Sequence, residues 1–328
     1  MSLLEVQDLS VSLKTAHGLQ DVIHHINFSM DAGETLGIVG ESGCGKSIFA
    51  LALMSLLPTD SQTKGKIILE GQDVLGLNST QICSIRGNRI GMIFQEPMTA
   101  LNPVQKIGAQ IGESIRLHLK FSRKQTLERV TELMDKVGLP ISRFPLNLYP
   151  HQLSGGQRQR VMIAMAIACN PTILIADEPT TALDVTVQEQ ILDLIRDLAD
   201  SSGMALIMIS HDLGVIAQTT QRVMVMYTGN IVEMGDTVDV FQNMCHPYTH
   251  GLFSAIPHVS ASTDSKRKRL TSIPGQVPEL HNRPAGCNFA DRCPRASHKC
   301  RKNEPPATRV SDHHRVWCYH PLHQFESK

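Results

Sequence analysis

The sequence predicts an α/β fold built on a buried parallel sheet, and three observations carry that expectation. Short β-branched runs recur through the first 240 or so residues; helical apolar periods separate them; and a glycine-rich turn joins one such run directly to one such helix. At 328 residues the chain is long enough for about two domains at roughly 150 residues each. Hydrophobic residues make up 41% and charged residues 19%, a globular composition that excludes a disordered or collagen-like chain.

Taken in order, the run Thr35-Leu-Gly-Ile-Val39 is the first buried strand, and the apolar stretch Lys46 to Leu57 is a helix that stops at Pro58. A second apolar helix, Gln157 to Cys169, stops before Pro171, and Ile173-Leu-Ile-Ala176 follows as a strand. Val187, Ile191, Ile195 and Leu198 lie on one face of a further helix, and Leu206-Ile-Met-Ile209 is the next strand. Beyond residue 255 the pattern breaks. Residues 260–269 are rich in Ser, Thr, Lys and Arg and read as a linker, and a loop-rich, proline-containing segment comes after it. The expected boundary therefore divides the chain into 1–255 and 256–328.

Charge excludes one function class. Lys+Arg 31 balances Asp+Glu 31, which leaves no general electrostatic footprint for nucleic acid. The basic run 266–269 is short, and the tail lacks basic residues interleaved with aromatics, so no nucleic-acid partner is expected. Met1 to Ser10 carries neither a basic nor a hydrophobic signal region, and the longest strongly apolar run, Val161 to Cys169, is far short of the roughly 20 residues that span a bilayer. A cytosolic protein, peripheral to a membrane at most, is the expectation.

The strand ending at Val39 runs into Gly40-Glu41-Ser42-Gly43-Cys44-Gly45-Lys46-Ser47, a phosphate-binding loop with its strand before and its helix after. Glycines let consecutive backbone N–H groups face phosphate oxygens at a helix N-terminus; Lys46 adds charge and Ser47 a Mg²⁺ ligand. The strand Ile173 to Ala176 delivers Asp177 and Glu178 to its carboxyl end, where ligands gather in open α/β sheets. Asp177 suits metal support and Glu178 the orientation of an attacking water. Together the two segments describe a hydrolytic nucleotide site.

Leu153-Ser154-Gly155-Gly156-Gln157, ahead of the Asp177-Glu178 strand, resembles the signature of ATP-binding cassette (ABC) proteins. Chemically it is a second phosphate cradle, a hydroxyl and glycine N–H groups at a helix N-terminus. Other segments resemble family elements in the same order. Gln95 in Ile93-Phe94-Gln95-Glu96-Pro97 resembles the Q-loop glutamine, Thr181-Ala-Leu-Asp184 the D-loop, and His211 the switch histidine. The resemblance implies a RecA-like core with an antiparallel β subdomain and a helical subdomain over about 97–165. It implies that ATP is sandwiched between the Lys46-type loop of one chain and the Ser154-type signature of another. It also implies that Ser47, Gln95 and Asp177 serve Mg²⁺, that Glu178 is the general base or water orienter, and that His211 contacts the γ-phosphate. The family stacks adenine on an aromatic residue before the glycine-rich loop. Residues 1–27 hold no Phe, Tyr or Trp, and His17 stands at about the expected distance.

His246-Pro-Tyr-Thr-His-Gly-Leu-Phe-Ser-Ala-Ile-Pro257, with Ile273-Pro-Gly-Gln-Val-Pro278, resembles the extension of ATP-binding subunits from bacterial oligopeptide/dipeptide and nickel importers. The resemblance implies two transmembrane permease subunits, a second cassette subunit, expected to be a paralogue, and an extracytoplasmic peptide-binding protein, with this chain at the cytoplasmic face of the bacterial plasma membrane. A nickel or metal-chelate importer is the near alternative; a non-transport ABC ATPase that binds nucleic acid is the distant one. Of eight cysteines, Cys287, Cys293, Cys300 and Cys318 crowd the tail. Four thiolates suit a 4Fe-4S cluster or a structural Zn²⁺. None of their intervals is the short knuckle common at zinc, and the family resemblance favours the iron-sulfur cluster.

Overall fold

A computed structural model describes residues 2–181, 183–255 and 272–323. The linker read at 260–269, the boundary after residue 255 and Ala182 of the D-loop lie outside the described residues.

Among the described residues twelve strands form two sheets: β1 (Leu4–Thr15), β2 (Gly18–Met30), β3 (Thr35–Val39), β4 (Gln62–Leu69), β5 (Gln72–Asp73), β6 (Ile90–Ile93), β7 (Ile173–Asp177), β8 (Ala205–Ile209), β9 (Arg222–Tyr227), β10 (Asn230–Asp236), β11 (Ala307–Arg309) and β12 (Arg315–Trp317). The larger sheet has the order β11-β12-β10-β9-β3-β8-β7-β6, and its β9-β3-β8-β7-β6 part is parallel. The smaller sheet, β2-β1-β4-β5, is antiparallel.

The parallel strands read as unbroken apolar runs because both faces are covered. In β8, Leu206 and Met208 enter one core while Ala205, Ile207 and Ile209 enter the other; β7 alternates likewise, with Leu174 and Ala176 opposite Ile173 and Ile175. One core is closed by the antiparallel sheet and the helix Lys46–Leu53. The other is closed by the helices Ile107–His118, Arg123–Lys136, Gly155–Ala166 and Val185–Ser202. Ile107, Ile111 and Ile115 face inward at four-residue spacing, as do Val130 and Met134 across from them.

Helix ends depart from the sequence reading. The phosphate-loop helix ends at Leu53 rather than Leu57, because Ser55 takes a left-handed conformation (φ 50°) and the chain turns before Pro58. The signature helix starts at Gly155, capped by Ser154, and ends at Ala166 rather than Cys169. The tail departs more. Its hairpin β11–β12 pairs antiparallel with β10, so the segment read as loops extends the cassette's own sheet. His314, 1% exposed, is hydrogen-bonded through Nε2 to Glu233 Oε1 at 2.8 Å; the same carboxylate accepts the backbone N–H groups of Cys245 and His246 at 2.7 and 2.9 Å. A carboxylate that is 0% exposed needs such partners, and they fasten the tail to the core.

Candidate functional site

The phosphate loop follows β3 and passes close beneath β9. A Cβ on Gly40 would stand 2.3 Å from the Met226 carbonyl oxygen, and Gly45, which starts the helix, is left-handed at φ 103°. Only glycine meets both conditions without moving backbone. Lys46 is 5% exposed and donates from Nζ to the Gly40 and Glu41 carbonyls at 2.8 and 3.2 Å, which folds the loop over its own ammonium group. Cys44 turns its thiol into the core at 1% exposure, and burial pushes that thiol's pKa up.

The carboxyl end of β7 lies beside this loop. Ser47 Oγ donates to Asp177 Oδ1 at 3.2 Å, and burial raises the Asp177 pKa, only partly offset by that hydrogen bond. A buried carboxylate in that state is ready for a cation, and Ser47 with Asp177 forms a donor set of hard oxygens that fits Mg²⁺.

Glu178 is the meeting point of three elements. Its Oε2 is 3.1 Å from Gln95 Nε2, 3.2 Å from Thr181 Oγ1 and 3.2 Å from His211 Nδ1. The backbone at Glu178 is left-handed (φ 46°) and its N–H donates to Ile209 of the neighbouring strand at 2.9 Å. Such a conformation costs about 1 kcal/mol or more for a non-glycine residue, and here it turns the side chain toward Gln95 and His211. Gln95 and His211, 83 and 33 residues away, thus converge on one oxygen.

The signature segment is arranged differently. Ser154 is exposed; its Oγ accepts from Gln157 N at 3.3 Å, and Gln157 Oε1 accepts from Ser154 N at 2.9 Å. Gly155 and Gly156 pack closely on the D-loop helix, where a Cβ on Gly156 would stand 2.7 Å from Val187. Asp184 caps that helix, accepting from Val187 N at 3.0 Å, and Val185 beside it is 82% exposed. Among the described residues no hydrogen bond joins 154–157 to the phosphate loop.

His17 is exposed and packs against His281 of the tail, ring centroids 4.4 Å apart and planes tilted by 32°. Cys287, Cys293, Cys300 and Cys318 all line one small cavity with Phe289 and His246. Burial pushes Cys287 up to about 11 and Cys318 up to about 12, with neighbouring thiols adding to both shifts. Four sulfurs around one enclosed space are unfavourable as bare thiolates, and as a donor set they fit a thiophilic metal.

Two contributors have no signal in the sequence for their role: Arg292 of the tail on Glu41, and Tyr248 Oη, which accepts from Glu41 N at 2.8 Å; each depends on pairing across the fold rather than on a local motif. Thr181 Oγ1 reaches Glu178 from three residues away in the same loop.

Residues 23–181 match the family described as ABC transporter, and residues 232–300 match that described as oligopeptide/dipeptide transporter, C-terminal region. A protein of Brucella ovis named putative peptide import ATP-binding protein is 47% identical over 325 residues, 96% of this chain and 96% of that one. The chain belongs to the ABC transporter family. Proteins named oligopeptide transport ATP-binding protein OppD are similar too, 48% identical in Bacillus subtilis over 97% of this chain and 89% of that one, and 45% in Salmonella typhimurium over 98% and 95%. Among solved structures, the dimeric post-hydrolysis cassette MJ0796 bound to ADP and Pi is similar at a TM-score of 0.64 and 26% identity, covering 71% of this chain and 98% of that one. The α/β cassette architecture expected from the sequence is the one these neighbours share. Among the described residues no helix is long and apolar enough to cross a membrane.

Proposed function

We propose that this chain is the ATP-hydrolysing subunit that powers import of di- and oligopeptides, and that residues 40–47, 95, 177–178 and 211 are its half of a composite ATPase site. The convergence of Gln95, Thr181 and His211 on one oxygen of Glu178, beside a phosphate loop, carries the reading.

Lys46 and the loop N–H groups hold the triphosphate. Ser47 and Asp177, with Gln95 at the rim, hold Mg²⁺, which when bound neutralises charge on the phosphate oxygens. Glu178 accepts a hydrogen bond from the attacking water and orients it in line with the γ-phosphate, and His211 donates to the γ-phosphate oxygens. His17 offers its ring to the adenine. Ser154, Gly155, Gly156 and Gln157 serve the nucleotide held by a second cassette, with Asp184 at the seam; their exposure and the dimeric state of the MJ0796 cassettes support this. That second cassette is a paralogue of this chain.

Gln95 is placed to report on the site. Next to it Phe94, 38% exposed, lines an apolar groove with Leu56, Leu117, Met162 and Met165, which suits an apolar element of a permease subunit. Two permeases, an extracytoplasmic peptide-binding protein and a place on the cytoplasmic face of the bacterial plasma membrane complete the assembly. The resemblance of residues 232–300 to the oligopeptide/dipeptide transporter region and the names of the relatives support peptide as the cargo.

The division at residue 255 follows function, the cassette over 1–255 and the metal-bearing extension over 256–328. Cys287, Cys293, Cys300 and Cys318 hold a 4Fe-4S cluster rather than Zn²⁺. Their gathering around one small cavity supports a shared group, and the absence of a two-to-four-residue knuckle among their intervals supports iron-sulfur over zinc.

Anaerobic purification of the intact complex tests all of this at once. The expected preparation is brown, contains permeases and a second cassette, and hydrolyses ATP faster when peptide-loaded binding protein is added. A rate indifferent to peptide would contradict the transport reading, and a colourless complex with stoichiometric zinc the iron assignment.

A further inference from the structure

Phosphate binding uses the loop backbone, Lys46 and Ser47, and leaves the acidic side chain of Glu41 in that same loop without a role. A half-buried carboxylate beside a polyanionic ligand repels it unless something cancels or diverts the charge. The fold supplies that something from the tail. Arg292 Nη1 donates to Glu41 Oε2 at 2.6 Å and Nη2 to Oε1 at 3.0 Å, the two-pronged match of guanidinium to carboxylate. Arg292 is itself locked. Its Nε donates to the Pro274 carbonyl at 2.9 Å and Nη1 to Tyr227 Oη at 3.3 Å, while its guanidinium carbon lies 5.7 and 5.9 Å from the ring centroids of Tyr227 and Phe289. Its side chain is 6% exposed and that of Glu41 27%.

Arg292 ends the short turn Ala290–Arg292, bracketed by Cys287 and Cys293 and held by Ala290 N donating to the Cys287 carbonyl at 2.9 Å. Tyr248 Oη fixes the Glu41 backbone as Arg292 fixes its side chain. The loop is thereby gripped from one side by two residues of the chain's last third.

We propose that Arg292 is a positioning residue for nucleotide binding: it turns the Glu41 carboxylate away from the phosphate cradle and cancels its charge, so the C-terminal segment sets the affinity of the loop for MgATP. The proposal rests on reading residues 40–47 as the triphosphate cradle. It differs from a purely architectural role in one respect, since the harm done by losing Arg292 comes through Glu41 and disappears with that carboxylate.

The test is equilibrium binding of MgATP to the full chain, read with a fluorescent ATP analogue. Arg292→Met weakens binding about tenfold, the size expected when one partner of a hydrogen-bonded charge pair is removed and the other stays partly buried. Arg292→Lys, which keeps charge but loses the fork, weakens it about threefold. Adding Glu41→Gln to Arg292→Met returns the Kd to within about twofold of the parent, a coupling that a double-mutant cycle measures directly. Parental affinity in Arg292→Met, or a double variant as weak as Arg292→Met, overturns the proposal. Should Arg292→Met fail to fold by circular dichroism, Arg292→Lys with and without Glu41→Gln carries the same comparison. Lys46→Ala must lose MgATP in this assay; if it does not, the cradle reading has failed rather than the role of Arg292.

Discussion

Glu178 and Ser154 both sit at the ends of regular elements, yet the chain completes the surroundings of one and leaves the other open. Glu178 gathers Gln95 and His211 from the ends of the two flanking strands, and Thr181 from its own loop, onto one oxygen. Ser154 meets only its own turn, exchanging hydrogen bonds with Gln157, beside exposed Val185. Folding energy accounts for the first arrangement, because β6, β7 and β8 must pair for the core to close and the pairing brings the polar ends together. Among the described residues no such pairing involves the second: Ser154 and Gln157 satisfy each other as a capping box and leave an exposed helix start, the feature that the proposed second cassette would use.

The largest test of this contrast is Glu178→Gln in the assembled transporter. Turnover is expected to fall about a thousandfold, within the range for losing a positioned general base, while ATP stays bound between the cassettes. Near-normal phosphate release would remove Glu178 from its role and leave the convergence around it unexplained.

His314→Ala probes the completed side through stability. It leaves Glu233 buried with two backbone donors and without its imidazole partner, at a cost of about 3 kcal/mol. Thermal unfolding should shift down by roughly 10 °C at about 3 °C per kcal/mol. An unchanged midpoint would show that the tail contributes little to holding β10.

Ser154→Ala has the smallest effect on the isolated fold, about 1 kcal/mol for a lost N-cap, together with a large loss of turnover in the complex. A variant that lost stability and turnover in proportion would make Ser154 a cap and nothing more.

The parts legible in sequence were those with a local period or a short motif. Strands 35–39, 173–176 and 206–209 were readable because burial on both faces demands unbroken apolar runs. The phosphate loop is readable because its glycines are required: a Cβ on Gly40 would stand 2.3 Å from the Met226 carbonyl oxygen of β9. Gln95, Glu178 and His211 had no local signal for their meeting; their order along the chain suggested it only through the family resemblance. The β11–β12 hairpin leaves no signal in the sequence because three-residue strands carry too little alternation. Arg292 leaves none for a different reason, since its partner Glu41 lies 251 residues away and neither residue belongs to a period.

The claim that this chain carries half of each ATPase site is tested most directly by turnover per chain, measured in the isolated protein and in the intact transporter at the same saturating MgATP. The account predicts at least a hundredfold lower rate in isolation, the scale of losing a set of transition-state donors. Equal rates, abolished by Lys46→Ala in both preparations, would contradict it.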